Sequence, residues 1–168
     1  MRWIVVLALV AAGGVAHADD SAGSGSSGRA DKGVLGLGLV LGEPTGICGK
    51  LYLADDRAVD AAVGEAFITG GFQITADYLF HPFILQNKEQ FVLPFYFGPG
   101  IRLIDYGGNA NNSYFATGLR GVAGLDFDFK DVPIDAFVEA AAVIETGYSG
   151  GHGIGAGLNA GAGVRYYF

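Results

Sequence analysis

The chain has 168 residues, of which 51% are hydrophobic and 16% charged, and 29 of them are glycine. Its net charge of −7 denies it the basic face that a phosphate backbone requires, and its single cysteine excludes an internal disulfide or a multi-cysteine metal centre. No apolar run reaches the ~18 to 20 residues of a membrane-crossing helix, so what remains is a glycine-rich, helix-poor chain with the composition of a membrane β-barrel.

The first element is a targeting segment. Met1-Arg2 supplies a positive start, Trp3 to Val10 an apolar stretch, and Ala16-His17-Ala18 a small-x-small cleavage site. This pattern is that of a secretory signal peptide over residues 1–18, cut between Ala18 and Asp19. The alternative, an uncleaved N-terminal anchor, fits poorly, because the apolar run ends at Ala16 and Asp19-Asp20 follow at once. No cysteine stands at the cut, so the signal is not of the lipoprotein type. Cleavage removes Arg2 and leaves 9 basic against 17 acidic residues, a net charge of −8. Residues 19–33 are rich in glycine and serine, a composition expected to form a flexible periplasmic segment without structure of its own.

From residue 34 to 168 the period becomes two, which predicts strands. Leu35, Leu37, Leu39 and Leu41 alternate with Gly36, Gly38, Val40 and Gly42, and Glu43-Pro44-Thr45-Gly46 turns the chain. The second strand, Ile47 to Leu53, sets Ile47, Leu51 and Leu53 against Cys48, Lys50 and Tyr52. After Asp55-Asp56-Arg57, the third, Ala58 to Phe67, sets Val59, Ala61 and Val63 against Asp60, Ala62 and Gly64. Gly70-Gly71 leads to the fourth, Phe72 to Phe80, with Ile74, Tyr78 and Phe80 opposite Gln73, Thr75 and Asp77. The fifth, Phe91 to Leu103, carries Tyr96, Gly98, Gly100 and Arg102 on its small and polar side. The sixth, Tyr114 to Phe129, carries Arg120, Gly124, Asp126 and Asp128 there; the seventh, Pro133 to Ile144, Asp135 and Glu139; the eighth, Gly153 to Phe168, a row of glycines with Asn159 and Arg165.

Eight is an even number, and segments of roughly 9 to 11 residues suit tilted strands that cross a bilayer. An open sheet cannot sit in lipid because its edge N–H and C=O groups would go unpaired, so closure follows. The expected fold is all-β, an eight-stranded antiparallel up-and-down transmembrane barrel. Charge gathers on one side of each strand. That side is assigned to the lumen and the aliphatic side to lipid, the reverse of a soluble lipid-binding barrel. The lumen then holds Lys50, Arg102, Arg120 and Arg165 with Asp60, Asp77, Asp126, Asp135 and Glu139. Eight strands leave room for little more than side chains, and charges in such an interior must be paired, so a filling salt-bridge network is expected rather than an open pore or binding site. Glu65 falls on the lipid side, either at the outer rim or turned by a bulge near Gly64.

With both termini periplasmic, the inner turns are Asp55-Asp56-Arg57, the long connection Pro82 to Gln90, and Lys130-Asp131-Val132. The outer loops are Glu43 to Gly46, Ile68 to Gly71, Asp105 to Ser113 and Glu145 to Gly151. His81 is assigned, with Tyr78 and Phe80, to an aromatic girdle at the inner interface. Cys48 is a small buried residue facing the lumen.

The terminal strand, Gly161-Ala162-Gly163-Val164-Arg165-Tyr166-Tyr167-Phe168, resembles that of the small outer-membrane β-barrels of the OmpA/OmpX-like superfamily of Gram-negative bacteria. The resemblance spans about Gly33 to the end. It implies a location in the cell outer membrane, and contact with outer-membrane lipids and lipopolysaccharide. It also gives Val164, Tyr166 and Phe168 the role of signal to the barrel-assembly machinery. Some barrels of this kind modify lipids. Here Glu145, Ser149 and His152 are the local candidates for an activated serine, but they lie on a glycine-rich loop, and Ser149-Gly150-Gly151-His152 lacks the His-x-Ser spacing of lipid A deacylases. Gly36-Leu37-Gly38 and Gly153-Ile154-Gly155 open no helix and lack the full nucleotide-loop spacing. The reading is therefore a monomeric barrel with a structural or surface-interaction role. It assigns no catalytic residue, cofactor, metal or nucleic-acid partner. The alternatives are a small pore, a lipid-modifying enzyme of the same architecture, or a soluble periplasmic lipid-binding barrel.

Overall fold

The computed structural model describes residues 32–68, 70–106, 114–147 and 153–168. The expected signal peptide, and the Gly/Ser-rich segment up to residue 31, lie outside the described residues. Eight strands follow in order: β1 (Leu35–Gly42), β2 (Thr45–Ala54), β3 (Arg57–Glu65), β4 (Phe72–Asn87), β5 (Phe91–Tyr106), β6 (Tyr114–Phe129), β7 (Ile134–Thr146) and β8 (Ile154–Tyr167). Each pairs antiparallel with the next, and β8 returns to β1, so the sheet closes as a ring.

The register sets the shape of that ring. A path of directly paired residues runs from Tyr166 through Leu37, Gly49, Ala61, Ala76, Ile101, Leu119 and Ile144 to Ala156. One circuit thus comes back to β8 ten residues from where it began, at 156 instead of 166. A stagger of that size around eight strands goes with strands tilted about 40° and an interior just wide enough for side chains. One rim carries the start of β1, the end of β8 and three short turns. The other carries the β1–β2, β3–β4, β5–β6 and β7–β8 connections. They are called here the terminal rim and the loop rim.

Several boundaries differ from the sequence reading: β3 ends at Glu65 instead of Phe67, β5 runs on past Leu103 to Tyr106, β7 runs on past Ile144 to Thr146, and two further changes reshape the terminal rim. The long connection expected from Pro82 to Gln90 is mostly strand: β4 runs on to Asn87, pairs with β5 as far as Val92, and turns through Lys88–Gln90 alone. Pro82 reads as a chain break, yet it sits where the β4–β5 register skips between Phe80 and Phe83. An irregular position of this kind is where a strand accepts a residue without an N–H. All the terminal-rim turns are therefore short. Lys32, placed by composition in the flexible segment, is likewise held against the ring, donating to the Ile134 carbonyl at 2.8 Å.

Glycine places the large interior groups. A methyl on Gly36 would lie 2.8 Å from the ring of its partner Tyr167, one on Gly163 2.5 Å from the Phe137 ring, and one on Gly124 2.4 Å from the Tyr96 phenol. Each ring lies across the bare backbone of the glycine directly opposite. Glu65 ends β3 in register, paired with Thr45 and Phe72, with no bulge at Gly64. It is exposed at the loop rim.

Candidate functional site

The candidate site is the interior of the ring. Strand alternation turns each of the nine predicted residues inward. Eight of them, Lys50, Asp60, Asp77, Arg102, Arg120, Asp126, Asp135 and Arg165, are no more than 7% exposed, and the Glu139 side chain is 15% exposed. They form three tiers, each built round an arginine.

In the tier nearest the terminal rim, Arg165 Nε lies 3.0 Å from Asp135, its Nη2 2.7 Å from Asp126, and its Nη1 against Asp60. Lys50 Nζ pairs with the second oxygen of Asp126 and donates to His81 Nε2 at 2.9 Å. The ammonium sits between two phenol rings, 4.9 Å from the centroid of Tyr52 and 4.8 Å from that of Tyr96. The Tyr167 hydroxyl donates to Asp135 at 2.6 Å. Lys32 closes the tier by pairing with Asp128.

In the middle tier, Arg120 lies 2.9 Å from Asp77 and 3.2 Å from Glu139, and the Tyr96 hydroxyl donates to Glu139 at 3.1 Å. In the loop-side tier, Arg102 Nε donates to Gln73 at 2.8 Å, its Nη1 lies 3.2 Å from Glu145 and its Nη2 3.6 Å from Glu43. Tyr106 donates to Glu145.

The pairing pattern explains why the arginines stand where they do. Asp60 lies directly opposite Asp77 across β3–β4, and Asp128 opposite Asp135 across β6–β7. Like charges facing each other across a ladder are destabilising. Here each member of a facing pair is drawn to a different cation: Asp60 to Arg165, Asp77 to Arg120, Asp128 to Lys32, and Asp135 to Arg165. Chemically the arrangement is a cross-brace, in which single guanidinium groups tie β3, β6, β7 and β8 across the interior. Among the described residues, no group of three His, Cys, Asp or Glu side chains is arranged to hold a metal ion.

The sequence reading missed several members. His81 points inward, 7% exposed, and is not part of the exterior girdle assigned to it. Tyr78 and Phe80 do face outward, their rings in edge contact at 5.1 Å. The signal was present, since His81 is two steps of two beyond Asp77 on the same side of β4. Glu145, read as a loop residue, belongs to the inward row of β7 and braces Arg102. Lys32 and Glu43 reach the interior from outside any strand, where alternation says nothing about them. Cys48 is buried in the interior, as expected. Ser149 and His152 lie outside the described residues. Val164, Tyr166 and Phe168 face outward near the terminal rim, 53%, 48% and 69% exposed. Comparison with protein-family models, with curated proteins and with solved structures finds no match to this chain.

Proposed function

We propose that this chain is an exported, monomeric outer-membrane barrel of the OmpA/OmpX-like kind, braced internally by its ionic network. Its role is structural or one of surface interaction, without catalysis or a steady conduction path. The observation that carries the reading is inverted polarity. The interior holds arginine, lysine and carboxylates, while the outer wall exposes Leu39 at 66%, Ile47 at 60%, Leu119 at 72%, Ile144 at 61% and Leu158 at 83%. Apolar surface of this extent is not kept in water by a soluble monomer, and a lipid-binding soluble barrel would need it inside.

Two further features support the reading. Aromatic side chains crowd the outer wall towards the terminal rim, with ring contacts Phe80–Phe97 at 5.9 Å, Phe91–Phe127 at 6.2 Å and Tyr166–Phe168 at 5.0 Å, the placement of an interfacial girdle. The shortness of the terminal-rim turns also suits the periplasmic end of such a barrel. Outer-membrane lipids and lipopolysaccharide are then the surrounding medium. Val164, Tyr166 and Phe168 are the residues offered to the assembly machinery.

The test is heat-modifiability. Detergent-extracted protein should run at different positions on a denaturing gel unboiled and boiled. A single position, with the protein recovered in the soluble periplasmic fraction, would overturn the proposal. Single-channel recording tests the pore alternative, and the expected trace is flat.

A further inference from the structure

An apolar groove of about 460 Å³ lies on the outer wall near the loop rim, lined in part by Leu41, Phe67, Ile68, Leu158 and Ala160. One of its walls is fixed from the interior: Ile68 N donates to Glu43 Oε2 at 2.9 Å, which holds Phe67 and Ile68 over the β1–β2 hairpin, 75% and 82% exposed. Leu41 and Leu158 are 69% and 83% exposed, so the groove opens outward and not into the ionic interior. Polar side chains begin on the outer wall just above it. Thr146, opposite Ile154, meets the Thr117 hydroxyl at 3.3 Å, and Glu65 and Asp105 stand exposed along the same rim. The groove therefore lies where apolar wall gives way to polar surface.

The groove is flanked by backbone that needs partners. β1 pairs with β8 only up to Gly42↔Gly161, whereas β7 follows β8 on to Thr146↔Ile154. Alternate residues of an antiparallel strand direct both backbone groups to one side, and Glu43 N donates to Ala160 O at 2.9 Å. Ile154, Ala156 and Leu158 thus turn N–H and C=O away from β7, and among the described residues nothing meets them there.

Neither solvent suits both features. Water answers the backbone and leaves the apolar walls wet, while hydrocarbon covers the walls and leaves N–H and C=O groups unpaired at high cost. An amphiphile answers both if its polar part begins beside the chain and carries donors as well as acceptors. An ester-linked chain offers acceptors alone, whereas an amide-linked acyl chain offers an N–H and a C=O. Charge argues against a phosphate as the anchor. The exposed lysine and arginine side chains among the described residues, Arg57, Lys88 and Lys130, all stand at the terminal rim, so the loop rim presents no cation for a phosphate to pair with.

We propose that this groove holds one amide-linked acyl chain of the outer-leaflet glycolipid, lipopolysaccharide, with the amide and neighbouring hydroxyls meeting the backbone of Ile154, Ala156 and Leu158. The inference rests on the membrane reading above, which puts the loop rim in the outer leaflet. It makes the glycolipid a ligand held at one place on the barrel as well as the surrounding medium. Leu41, Phe67, Ile68 and Leu158 hold the chain by contact along its length, and the anchoring is independent of phosphate and of divalent cations.

The test adds lipid A, dephosphorylated lipid A or ester-linked phosphatidylcholine to the refolded barrel in phosphocholine micelles and reads amide exchange by NMR. In micelles alone the Ile154, Ala156 and Leu158 amides should exchange about a hundredfold faster than those of Gly155 and Gly157. Lipid A should slow them about tenfold or more, its dephosphorylated form equally, with or without a chelator, and phosphatidylcholine should leave them unchanged. Phe67→Trp places the only tryptophan of the mature chain on the groove wall, so its emission follows loading. In that background Ala160→Phe fills the groove from an exposed position and should weaken lipid A binding about tenfold or more. Leu158→Ala strips one wall and should do likewise if the phenylalanine variant fails to fold. Protection that needs the phosphates or divalent cations, or that phosphatidylcholine supplies equally, overturns the proposal. So do edge amides already protected without lipid, or unmoved by lipid A. Heat-modifiability decides the membrane reading separately: a heat-modifiable barrel whose edge ignores lipid A refutes this site alone.

Discussion

Replacing Arg165 by methionine tests the brace most directly. The guanidinium serves three carboxylates, Asp60, Asp126 and Asp135, from a side chain with no solvent exposure. After its removal Asp126 keeps Lys50, and Asp135 keeps the Tyr167 hydroxyl. Asp60 is left facing Asp77 across the β3–β4 ladder. Breaking a buried ion pair from one side costs about 3–5 kcal/mol, because the other charge stays buried without an answer. The control is Arg57→Met: Arg57 lies 3.6 Å from Asp56 with both side chains more than half exposed, and an exposed pair of this kind contributes about 0–1 kcal/mol. Both variants should be unfolded by urea in micelles and followed by circular dichroism and by the folded band on a gel. Tryptophan fluorescence is unsuitable, since the one tryptophan, Trp3, lies in the expected signal peptide. Asp60→Asn in the Arg165→Met background should recover about 1–3 kcal/mol, the coupling typical of residues in one network. If Arg165→Met costs no more than Arg57→Met, or if Asp60→Asn rescues nothing, the interior is wet enough to solvate its charges and the brace argument fails.

Glycine substitutions separate a filled interior from an open one. Gly124→Ala drives a methyl into the Tyr96 phenol and should cost about 1–3 kcal/mol, whereas Gly157→Ala meets nothing and should stay within about 0.5 kcal/mol in the same urea titration. Phe168→Ala should lower the amount of heat-modifiable protein in the outer membrane while the purified variant still refolds in detergent. Normal membrane levels would remove Phe168 from the assembly signal. His81→Ala takes away the acceptor of the Lys50 hydrogen bond between the Tyr52 and Tyr96 rings. It should destabilise the barrel by about 1–3 kcal/mol; an unchanged urea midpoint would mean that His81 plays no part in the brace.

How much of this was legible beforehand varied with the kind of information. Strand number and the inward or outward sense of each side chain follow from a period of two, and so every predicted interior charge lies inside. The β4–β5 hairpin was misjudged because Pro82 reads as an end, while a register irregularity absorbs it without breaking the ladder. His81 was missed through stopping β4 at Phe80, not through any ambiguity in the pattern. Glu43 and Lys32 could not be placed at all, because the turn and tail that carry them have no periodicity to point a side chain.

Alternation is local, so the composition and order of residues were sufficient to establish an all-β chain whose charges share one face of the sheet. Partnership is not local. Which arginine answers which carboxylate depends on the ten-residue stagger of the closed ring, which brings Asp60, Asp126, Asp135 and Arg165 together from four strands. The same stagger leaves β8 standing above the β1–β2 hairpin, an edge that no reading of β8 by itself reveals. Closure converts a repeating pattern into particular neighbours, and only the tertiary structure contains that step.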